Sequence, residues 1–227
     1  MGDTRGVRVI VVGTGTEVGK THVTTCLLAH ARRLGRRTSA YKPVATGVDG
    51  SCEDAELHAA ALGAPYLPPT FAYRRPVSPH LAAREEGHPI DLDVIRQRAG
   101  ELASNTGDLI IESAGGLFSP LGEATTNVDL VRQLLPAHVL LVAPDRLGVL
   151  HDVGACLTAA RARGVLVSAL VLSAPASPDE STGTNARELQ RIGLGPVAAV
   201  FPHGPFDDVG SLETAAKLWA ALELAHV

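Results

Sequence analysis

The sequence predicts a single three-layer α/β domain, in which helices flank a mainly parallel β-sheet. Short apolar, β-branched segments alternate with amphipathic segments along the 227 residues. A glycine-rich turn joins the first apolar segment to the first amphipathic one. A hydrophobic content of 45% agrees with a globular domain that buries a sizeable core. The predicted domain spans residues 1–227, with one proline-rich insertion at about residues 63–90.

The spacing of apolar residues predicts the individual elements. Buried strands are expected at residues 7–12, 38–41, 108–112, 138–143, 165–172 and 197–201. Helices are expected after Gly19, from Glu53, from Leu81, at residues 91–105, 127–135, 149–163 and 184–191, and after a Ser211 cap. Gly35 ends the first helix, because glycine favours the position that follows a helical C-terminus.

The insertion is expected to be ordered but irregular. Residues 63–79 contain five prolines, which exclude a helix and make a central strand improbable. Phe71 and Tyr73 make the segment too aromatic for a disordered linker. His80 follows these prolines and precedes the helix from Leu81, so it is either a structural hydrogen-bonding residue or a substrate contact.

The glycine-rich turn at residues 13–21 reads Gly-Thr-Gly-Thr-Glu-Val-Gly-Lys-Thr. A strand, this turn and Gly-Lys-Thr at a helix start together indicate a phosphate-binding loop of the P-loop NTPase type. Backbone N–H groups would face an anion, Lys20 would add a positive charge, and the Thr21 hydroxyl could bind Mg²⁺. Thr14 stands where the strict motif has its first glycine, so an ordinary glycine-rich turn is the competing interpretation.

Further polar groups follow the predicted strands at the sheet edge where ligands bind in parallel α/β folds. Lys42 and Thr46 follow the second strand, and Glu112 ends the third. Glu112 is a candidate Mg²⁺-organising carboxylate or a cap of the next element, and Lys42 is a functional lysine or a surface charge. Asp54, by its position alone, fits a first-turn residue that interacts with the helix dipole.

Composition limits which partners the protein is expected to bind and in which compartment it is expected to work. The net charge is −4 and the sequence pI is about 6.1, so no global basic field favours nucleic acid. No segment is long and apolar enough for a membrane span, and residues 1–6 are polar, without a secretory core. Cys26, Cys52 and Cys156 lack the spacing of a disulfide framework or zinc site, which fits reduced thiols and a cytoplasmic protein.

Four separate stretches resemble the dethiobiotin synthetase family. Residues 13–21 match its loop, Gly-Thr-x-Thr-Glu-Val-Gly-Lys-Thr, including the threonine at position 14. Residues 42–47 match Lys-Pro-Val-x-[Ser/Thr]-Gly, and residues 112–116 resemble Glu-Gly-Ala-Gly-Gly. Residues 78–80 with 86–87 match Ser-Pro-His and Glu-Gly. The stretches occur in order over more than half of the chain.

The resemblance implies an ATP-dependent cyclo-ligase of biotin synthesis that forms C–N bonds. That family uses ATP, Mg²⁺ and CO₂ to close a cyclic urea on 7,8-diaminononanoate. An amine takes up CO₂ as a carbamate, the carbamate attacks the γ-phosphate, and the second amine displaces phosphate from the resulting carbamic–phosphoric anhydride. The resemblance also implies a homodimer, whereas the expectation of no nucleic-acid or membrane partner comes from the charge and the absence of a long apolar segment.

The resemblance assigns expected roles to residues of this chain. Lys20, Lys42, Thr16 and Glu17 form the implied catalytic set, and Thr21, Asp54 and Glu112 would hold Mg²⁺ directly or through water. The implied nucleotide-binding residues are Glu17, Val18, Gly19, Lys20, Thr21, His22, Asp54, Glu112, Ser113, Ala114, Gly115, Ser173, Pro202, His203 and Gly204. The implied substrate residues are Thr16, Thr46, Ser78, His80, Gly148, Val149 and Leu150, the last three at a helix N-terminus that would receive the substrate carboxylate.

Three positions depart from the family pattern. Ser113 replaces a glycine, which requires ordinary backbone angles at that position. Ser173 stands where many members have an asparagine that reads adenine, so the base preference is open and residues 202–204 would carry more of the base contact. Leu150 replaces a common asparagine near the substrate tail.

Three other functional classes compete with this interpretation. A deviant-Walker ATPase of septum positioning or plasmid partitioning would carry a signature lysine where Gly15 stands. A non-catalytic nucleotide sensor would not need Lys20, Lys42, Asp54 and Glu112 together. A cobyrinate-type amide ligase would normally carry a glutamine-hydrolysing domain, for which 227 residues leave no room.

Overall fold

The computed structural model describes residues 6–225, in which eight strands form a six-stranded main sheet and a small two-stranded sheet, accompanied by eight helices. The strands are β1 (Arg8–Gly13), β2 (Thr38–Tyr41), β3 (Val44–Thr46), β4 (Phe71–Tyr73), β5 (Asp108–Gly116), β6 (His138–Pro144), β7 (Ala169–Ser173) and β8 (Val197–Phe201). The helices are α1 (Lys20–Arg33), α2 (Glu53–Leu62), α3 (Pro79–Glu85), α4 (Leu92–Thr106), α5 (Asn127–Leu134), α6 (Val149–Ala162), α7 (Asn185–Arg191) and α8 (Val209–Leu224).

The main sheet has six parallel strands in the order β2-β5-β1-β6-β7-β8. The chain moves from β1 to the β2–β5 side first and then to the β6–β8 side, so β1 lies at the switch point of the topology. Ligands bind beyond the carboxyl ends of the strands at such a point. Val11 of β1 pairs with Glu112 of β5, which places that carboxylate beside the end of β1.

Both faces of the sheet are covered, which explains why β1 is almost wholly apolar. Side chains alternate between the two faces of a strand. Val9 and Val11 belong to the cluster that contains α1 and Trp219 of α8, whereas Ile10 and Val12 belong to the cluster that contains α6. Strand and helices therefore form three layers, and the predicted fold class is confirmed.

The predicted elements differ from the observed ones mainly at their ends. All six predicted strands form the main sheet. β5 continues to Gly116, four residues past the predicted end, because it pairs again with β1 after a bulge. β7 begins at Ala169, although the pattern predicts a strand from residue 165. The buried Val165 lies in the turn before the strand, and the Ser168 amide of that turn donates to the Val139 carbonyl.

The insertion is ordered, and it contributes one strand, β4, that the sequence pattern did not predict. β3 and β4 pair in parallel as a separate two-stranded sheet. The Tyr73 hydroxyl donates to the His88 carbonyl at 2.7 Å, which ties β4 to the segment after α3. α3 begins at Pro79, two residues before the predicted Leu81, because proline is favourable in the first helical turn. Residues 63–90 thus carry the unpredicted strand β4 in addition to the predicted helix, α3.

The last helix is capped by a different residue from the one predicted. Asp208, not Ser211, is the N-cap of α8, and its carboxylate accepts a hydrogen bond from the Ser211 amide at 2.6 Å. Ser211 itself is buried in the first turn. The predicted C-terminal helix is present, and its side chains Leu212, Trp219 and Leu222 are buried.

Three further predictions concern the domain bounds, membrane-spanning helices and the cysteines. The domain bounds of 1–227 stay a prediction, since residues 1–5 and 226–227, including most of the polar N-terminal segment, lie outside the described residues. Within the part of the chain that the structure describes, no helix is both long and apolar enough to cross a membrane. Cys26, Cys52 and Cys156 are buried free thiols.

Candidate active site

The loop between β1 and α1 is tightly packed against its neighbours. Gly19 has φ 94° and caps α1, and a Cβ placed on it would lie 2.3 Å from the Ser173 hydroxyl. A Cβ on Gly13 would lie 2.7 Å from Val18 Cγ2. Glu17 has φ 57°, which makes it the one non-glycine residue with positive φ among residues 6–225. Such strain in a loop is typical of a binding site and agrees with a phosphate cradle.

The glycines at the end of β5 lie directly against this loop. A Cβ on Gly116 would lie 3.1 Å from the Gly15 Cα, so the two backbones approach closely. Asn127 holds this segment in place, because its side-chain amide donates to the Ala114 carbonyl at 2.6 Å and to the Gly116 carbonyl at 2.8 Å. Asn127 was not predicted as a site residue. It is the first residue of α5 and is fully buried, a combination that the sequence did not reveal.

Lys20 packs against the phosphate loop. Its ammonium group donates to the Gly15 carbonyl at 3.1 Å, and its side chain is almost fully buried. Burial, followed by repulsion from the Lys42 charge, lowers the pKa of Lys20 to about 8. An anion bound in the loop would oppose both effects, so Lys20 is suited to bind a phosphate group.

Four predicted residues converge where β2, β5, α1 and α2 meet. The Lys42 ammonium lies 2.6 Å from Asp54 Oδ2 and 2.7 Å from Glu112 Oε1. The Thr21 hydroxyl lies 2.9 Å from Asp54 Oδ1 and 2.8 Å from Glu112 Oε1. We call this group, Thr21, Lys42, Asp54 and Glu112, the carboxylate cluster. It includes three predicted Mg²⁺-binding residues and one predicted catalytic lysine.

Burial and charge act against each other in the carboxylate cluster. Burial alone would raise the pKa of Glu112, but the Lys42 charge and the hydrogen bond from His58 outweigh it and hold that pKa well below its usual range. Burial likewise tends to lower the pKa of Lys42, but the charges of Glu112 and Asp54 raise it above its ordinary value. Both groups are therefore charged at neutral pH.

His58 is the residue of this site that the sequence analysis missed. Its Nε2 lies 2.8 Å from Glu112 Oε2, and its side chain is 3% exposed. It follows Asp54 by four residues on α2, so both side chains lie on one face of that helix. That spacing was visible in the sequence. Nothing in the sequence, however, indicated that this face meets the end of β5.

The donor set of the carboxylate cluster fits Mg²⁺. A hydroxyl carries one proton, so Thr21 can donate to only one of the two carboxylates that lie within 2.9 Å of it. The remaining hydroxyl lone pairs and carboxylate oxygens form an oxygen-only, negatively charged set, which hard divalent cations prefer. Among residues 6–225, no group of three or more His, Cys, Asp or Glu side chains is arranged to hold a metal ion. Mg²⁺ does not need three, since it keeps waters and phosphate oxygens as ligands.

A cavity of about 410 Å³ adjoins the phosphate loop and has the size of a small-ligand site. The predicted nucleotide residues that line it are Glu17, Val18, Gly19, His22, Ser173, His203 and Gly204. His22 Nε2 lies 2.8 Å from the Pro202 carbonyl, and its ring stands edge-on to Phe201. Since a carbonyl only accepts, Nε2 carries the proton, and α1 is thereby tied to the segment after β8. Burial lowers the pKa of His22, which favours the neutral ring.

The cavity also has walls that were not predicted. They are Pro144, Arg146, Ala174, Pro175 and Ala176. All of them lie at or just after the carboxyl ends of β6 and β7. This is the same edge of the sheet from which Lys42 and Glu112 were predicted. Applying that edge rule to every strand would have found them. Arg146 is exposed and adds a positive charge to this wall.

The departures from the family pattern have distinct local settings. Ser113 is buried with negative φ, so the backbone requires no glycine there. Its hydroxyl has no hydrogen-bond partner among the described residues. Ser173 is buried at the end of β7 and lies against Gly19. Its position is therefore beside the phosphate loop as well as at the cavity wall.

The predicted substrate residues are more dispersed than the nucleotide residues. Thr16 is exposed on the phosphate loop, and Thr46 is half-buried at the end of β3. The Ser78 hydroxyl lies 3.1 Å from His80 Nδ1 at the start of α3, and these two side chains make no hydrogen bond to the carboxylate cluster. Gly148, Val149 and Leu150 form the start of α6, beyond the end of β6, with Gly148 exposed and Val149 buried.

Comparison with known proteins identifies the family. Residues 7–218 match a family described as an AAA domain. The ATP-dependent dethiobiotin synthetase BioD of Rhodopirellula baltica is 39% identical over 217 residues, covering 86% of this chain and 84% of its own length. The protein of the same name from Caulobacter sp. is 38% identical and covers 89% of this chain and 90% of its own length.

Similarity to solved structures shows the fold. The MinC:MinD cell division protein complex of Aquifex aeolicus aligns with a TM-score of 0.60 at 12% identity, over 97% of each chain. The septum site-determining protein MinD of Pyrococcus horikoshii, complexed with Mg-ADP, aligns with a TM-score of 0.59 at 16% identity, over 96% of this chain and 95% of its own. At these identities the septum-positioning alternative shares the fold and no more. The sequence similarity covers nearly the whole domain, confirms the resemblance carried by the four motifs, and establishes that the chain belongs to the ATP-dependent dethiobiotin synthetase family.

Proposed function

We propose that this protein forms dethiobiotin from 7,8-diaminononanoate, CO₂ and ATP. The observation that carries the proposal is that Thr21, Lys42, Asp54 and Glu112, from four separate segments of the chain, converge in one hydrogen-bonded cluster. A nucleotide sensor needs a phosphate loop but no buried lysine between two carboxylates. Phosphoryl transfer gives such a lysine a role, because positioning and electrostatic stabilisation supply most of its catalysis.

The proposed reaction has three balanced steps. One amine of the substrate attacks CO₂, which forms a C–N bond and releases a proton as the carbamate appears. A carbamate oxygen then attacks the γ-phosphorus of ATP; an O–P bond forms, the bond to the β-phosphate oxygen breaks, and ADP leaves. The second amine attacks the carbonyl carbon of the mixed anhydride, closes the urea ring, expels inorganic phosphate and loses a proton.

The two lysines are proposed to stabilise the charge of the transferring phosphoryl group. Lys42 keeps its proton because its pKa is raised, so it acts by charge and hydrogen bonding rather than as a general base. Lys20, whose ammonium donates to the Gly15 carbonyl of the phosphate loop, would stabilise the same charge. Mg²⁺, held by Thr21, Asp54 and Glu112, would neutralise phosphate charge.

Residues on the exposed side of the loop are proposed to meet the carbamate and the substrate. Thr16 and Glu17 are exposed there, and Thr46 at the end of β3 would complete this side. The start of α6 would bind the substrate carboxylate through N–H groups of its first turn, with Gly148 as the exposed N-cap. Ser78 and His80 would contact the substrate from α3.

The nucleotide is proposed to occupy the cavity beside the phosphate loop. Gly19 and Val18 would bind phosphates through backbone N–H groups. Ser173 and residues 202–204 would contact the base and ribose, with His22 holding the Pro202 carbonyl. Ser113, Ala114 and Gly115 would form the wall that follows Glu112.

We further propose a cytoplasmic homodimer that has no nucleic-acid or membrane partner. The net charge of −4 and the three free thiols support this setting. Sedimentation of the purified protein tests the assembly: a mass of one chain, 23.6 kDa, contradicts the dimer, and twice that mass supports it.

The proposed activity is tested directly with purified protein, diaminononanoate, bicarbonate and Mg²⁺. Parallel reactions contain ATP, CTP or GTP, because the replacement of asparagine by Ser173 leaves base choice open. We expect phosphate release that depends on diaminononanoate, and a cyclic urea product identified by mass spectrometry. Substrate-dependent phosphate release with none of the three nucleotides would refute the proposed function.

A further inference from the structure

His58 is a buried residue that the proposed reaction steps do not use. It lies on α2, four residues after Asp54, and its side chain is 3% exposed. Its Nε2 lies 2.8 Å from Glu112 Oε2, and Glu112 is fully buried. A histidine at this place does more than fill space, because it satisfies one oxygen of a buried carboxylate.

The two oxygens of Glu112 have separate partners. Oε1 faces the Lys42 ammonium at 2.7 Å and the Thr21 hydroxyl at 2.8 Å. Oε2 faces His58, and this is the single hydrogen bond that Oε2 makes among residues 6–225. An ionised carboxylate only accepts, so His58 donates through Nε2. The bond fixes the plane of the carboxylate, since tilting that plane would move one oxygen away from His58.

We propose that His58 is a positioning residue for the metal site, which orients Glu112 so that Oε1 faces Thr21 and Lys42. This inference rests on the proposed role of Glu112 in holding Mg²⁺. Outer groups that hydrogen-bond to metal-binding carboxylates commonly contribute about 10- to 100-fold in metal affinity. His58 therefore sets how tightly the nucleotide-bound protein holds its divalent cation, without touching substrate or nucleotide.

Three variants of His58 separate positioning from packing. His58→Gln keeps an N–H donor near the position of Nε2, because the glutamine amide extends about as far as that ring nitrogen. His58→Asn keeps an amide that is too short to reach Glu112. His58→Leu keeps apolar volume but removes the donor. A packing role predicts that leucine is tolerated at least as well as glutamine, whereas a positioning role predicts rescue by glutamine alone.

The probe is Mn²⁺ added to the full-length protein saturated with ADP, with free Mn²⁺ measured by electron paramagnetic resonance. We expect His58→Leu and His58→Asn to weaken Mn²⁺ binding at least about tenfold, and His58→Gln to stay within about threefold of the unmodified protein. ADP affinity without the metal is expected to change little in any variant. His138→Leu is the matched control, since it removes another buried imidazole at the first residue of β6, and it should leave Mn²⁺ affinity unchanged.

The outcomes separate this inference from the proposed reaction. Mn²⁺ binding is measured without diaminononanoate, so absence of a cyclic urea would refute the proposed function and leave the metal measurement intact. Equal Mn²⁺ affinities in the leucine and unmodified proteins would overturn the role of His58, and so would equal weakening in folded leucine and glutamine variants. If the leucine variant does not fold, glutamine is compared with asparagine, and equal affinities in that pair would overturn it as well.

Discussion

The Lys42 ammonium lies 2.7 Å from Glu112 Oε1, in a pair of which Lys42 is 5% exposed and Glu112 is 0% exposed. A buried ion pair of this kind adds little net stability, because desolvation of both charges offsets their attraction. Removing one partner is costly, since the other charge stays buried without compensation. The pair is therefore explained by function rather than by stability, because it holds a lysine close to the phosphate loop between two carboxylates.

Lys42→Ala is expected to lower turnover by at least about 100-fold while it changes nucleotide affinity by less than about threefold, because the lysine stabilises charge that develops during transfer. Turnover of cyclic urea and ADP affinity by calorimetry are measured on the same preparation. Lys217→Ala, an exposed lysine of α8, serves as the control and should change neither quantity. Equal losses in turnover and nucleotide affinity would instead mean that Lys42 simply binds nucleotide.

Gly19→Ala is expected to weaken ADP binding by at least about tenfold, a loss of about 1.4 kcal/mol. The new methyl group combines a φ of 94° with an approach of 2.3 Å to the Ser173 hydroxyl, so the loop must move. Gly35→Ala is the matched control: its φ is 67°, and no atom lies within 4 Å of the added carbon. The control should lose about 1 kcal/mol of stability from strain alone and keep its ADP affinity. Unchanged ADP binding in the Gly19 variant would show that the loop is looser than the structure indicates.

Glu112→Gln is expected to lower the free energy of unfolding by about 3 kcal/mol at neutral pH, because Lys42 loses a buried partner. The pKa of Glu112 is lowered by folding, so its contribution is fully present above its ordinary value of 4.5 and is lost as the pH falls below it. The difference between native and variant proteins should thus be constant from about pH 6 to pH 8 and shrink below about pH 4.5. Urea unfolding at a series of pH values measures it.

The exposed Glu213 of α8 supplies the control for this series. Glu213→Gln should change the free energy of unfolding by less than about 0.5 kcal/mol at every pH. A difference between native protein and the Glu112 variant that persists undiminished at about pH 3 would contradict the inferred low pKa of Glu112.

Arg36→Ala is expected to lower the free energy of unfolding by about 2 to 4 kcal/mol, with catalysis in the remaining folded protein unchanged. Arg36 donates to both oxygens of the buried Asp108, at 2.5 and 2.9 Å, and lies 5.4 Å from the centre of the Trp219 ring. The variant leaves a buried carboxylate at the amino-terminal edge of the sheet, far from the phosphate loop. Thermal and urea unfolding measure the loss.

A surface ion pair gives the comparison for Arg36. Arg96 pairs with Asp93 at 3.3 Å on α4, and both side chains are more than half exposed. Arg96→Ala should cost less than about 0.5 kcal/mol. Equal losses in the two arginine variants would mean that burial of Asp108 does not govern the contribution of Arg36.

Most of the main sheet was predictable, because its strands are apolar runs bounded by glycine and polar turns. The small β3–β4 sheet was not, since its three-residue strands lie beside prolines and carry too few residues for an alternating pattern. Asp208 was missed as the cap of α8 because Ser211, three residues later, is an equally good capping residue by type. Residue type therefore allowed either Asp208 or Ser211 as the cap. In the structure Asp208 caps the helix, and Ser211 is buried in its first turn.

The site was predictable where a motif or a strand end carried the information. Lys20, Thr21, Lys42 and Glu112 belong to this group. The cavity walls at Arg146 and Pro175 follow from the same edge rule, although their side chains have no motif of their own. His58 and Asn127 could not be found in this way, because their roles depend on which element each helix faces after folding.

The sequence by itself determined the fold class, the phosphate loop and the family, since these depend on local spacing and on ordered motifs. Only the tertiary structure decided which groups meet. It brought Asp54 of α2 and Glu112 of β5 to within 2.9 Å of the Thr21 hydroxyl, across separations of 33 and 91 residues, and placed His58 beside Glu112. The physical reason is that strand order and helix packing set such distances, and both arise from burial of apolar faces over the whole chain rather than from any local pattern.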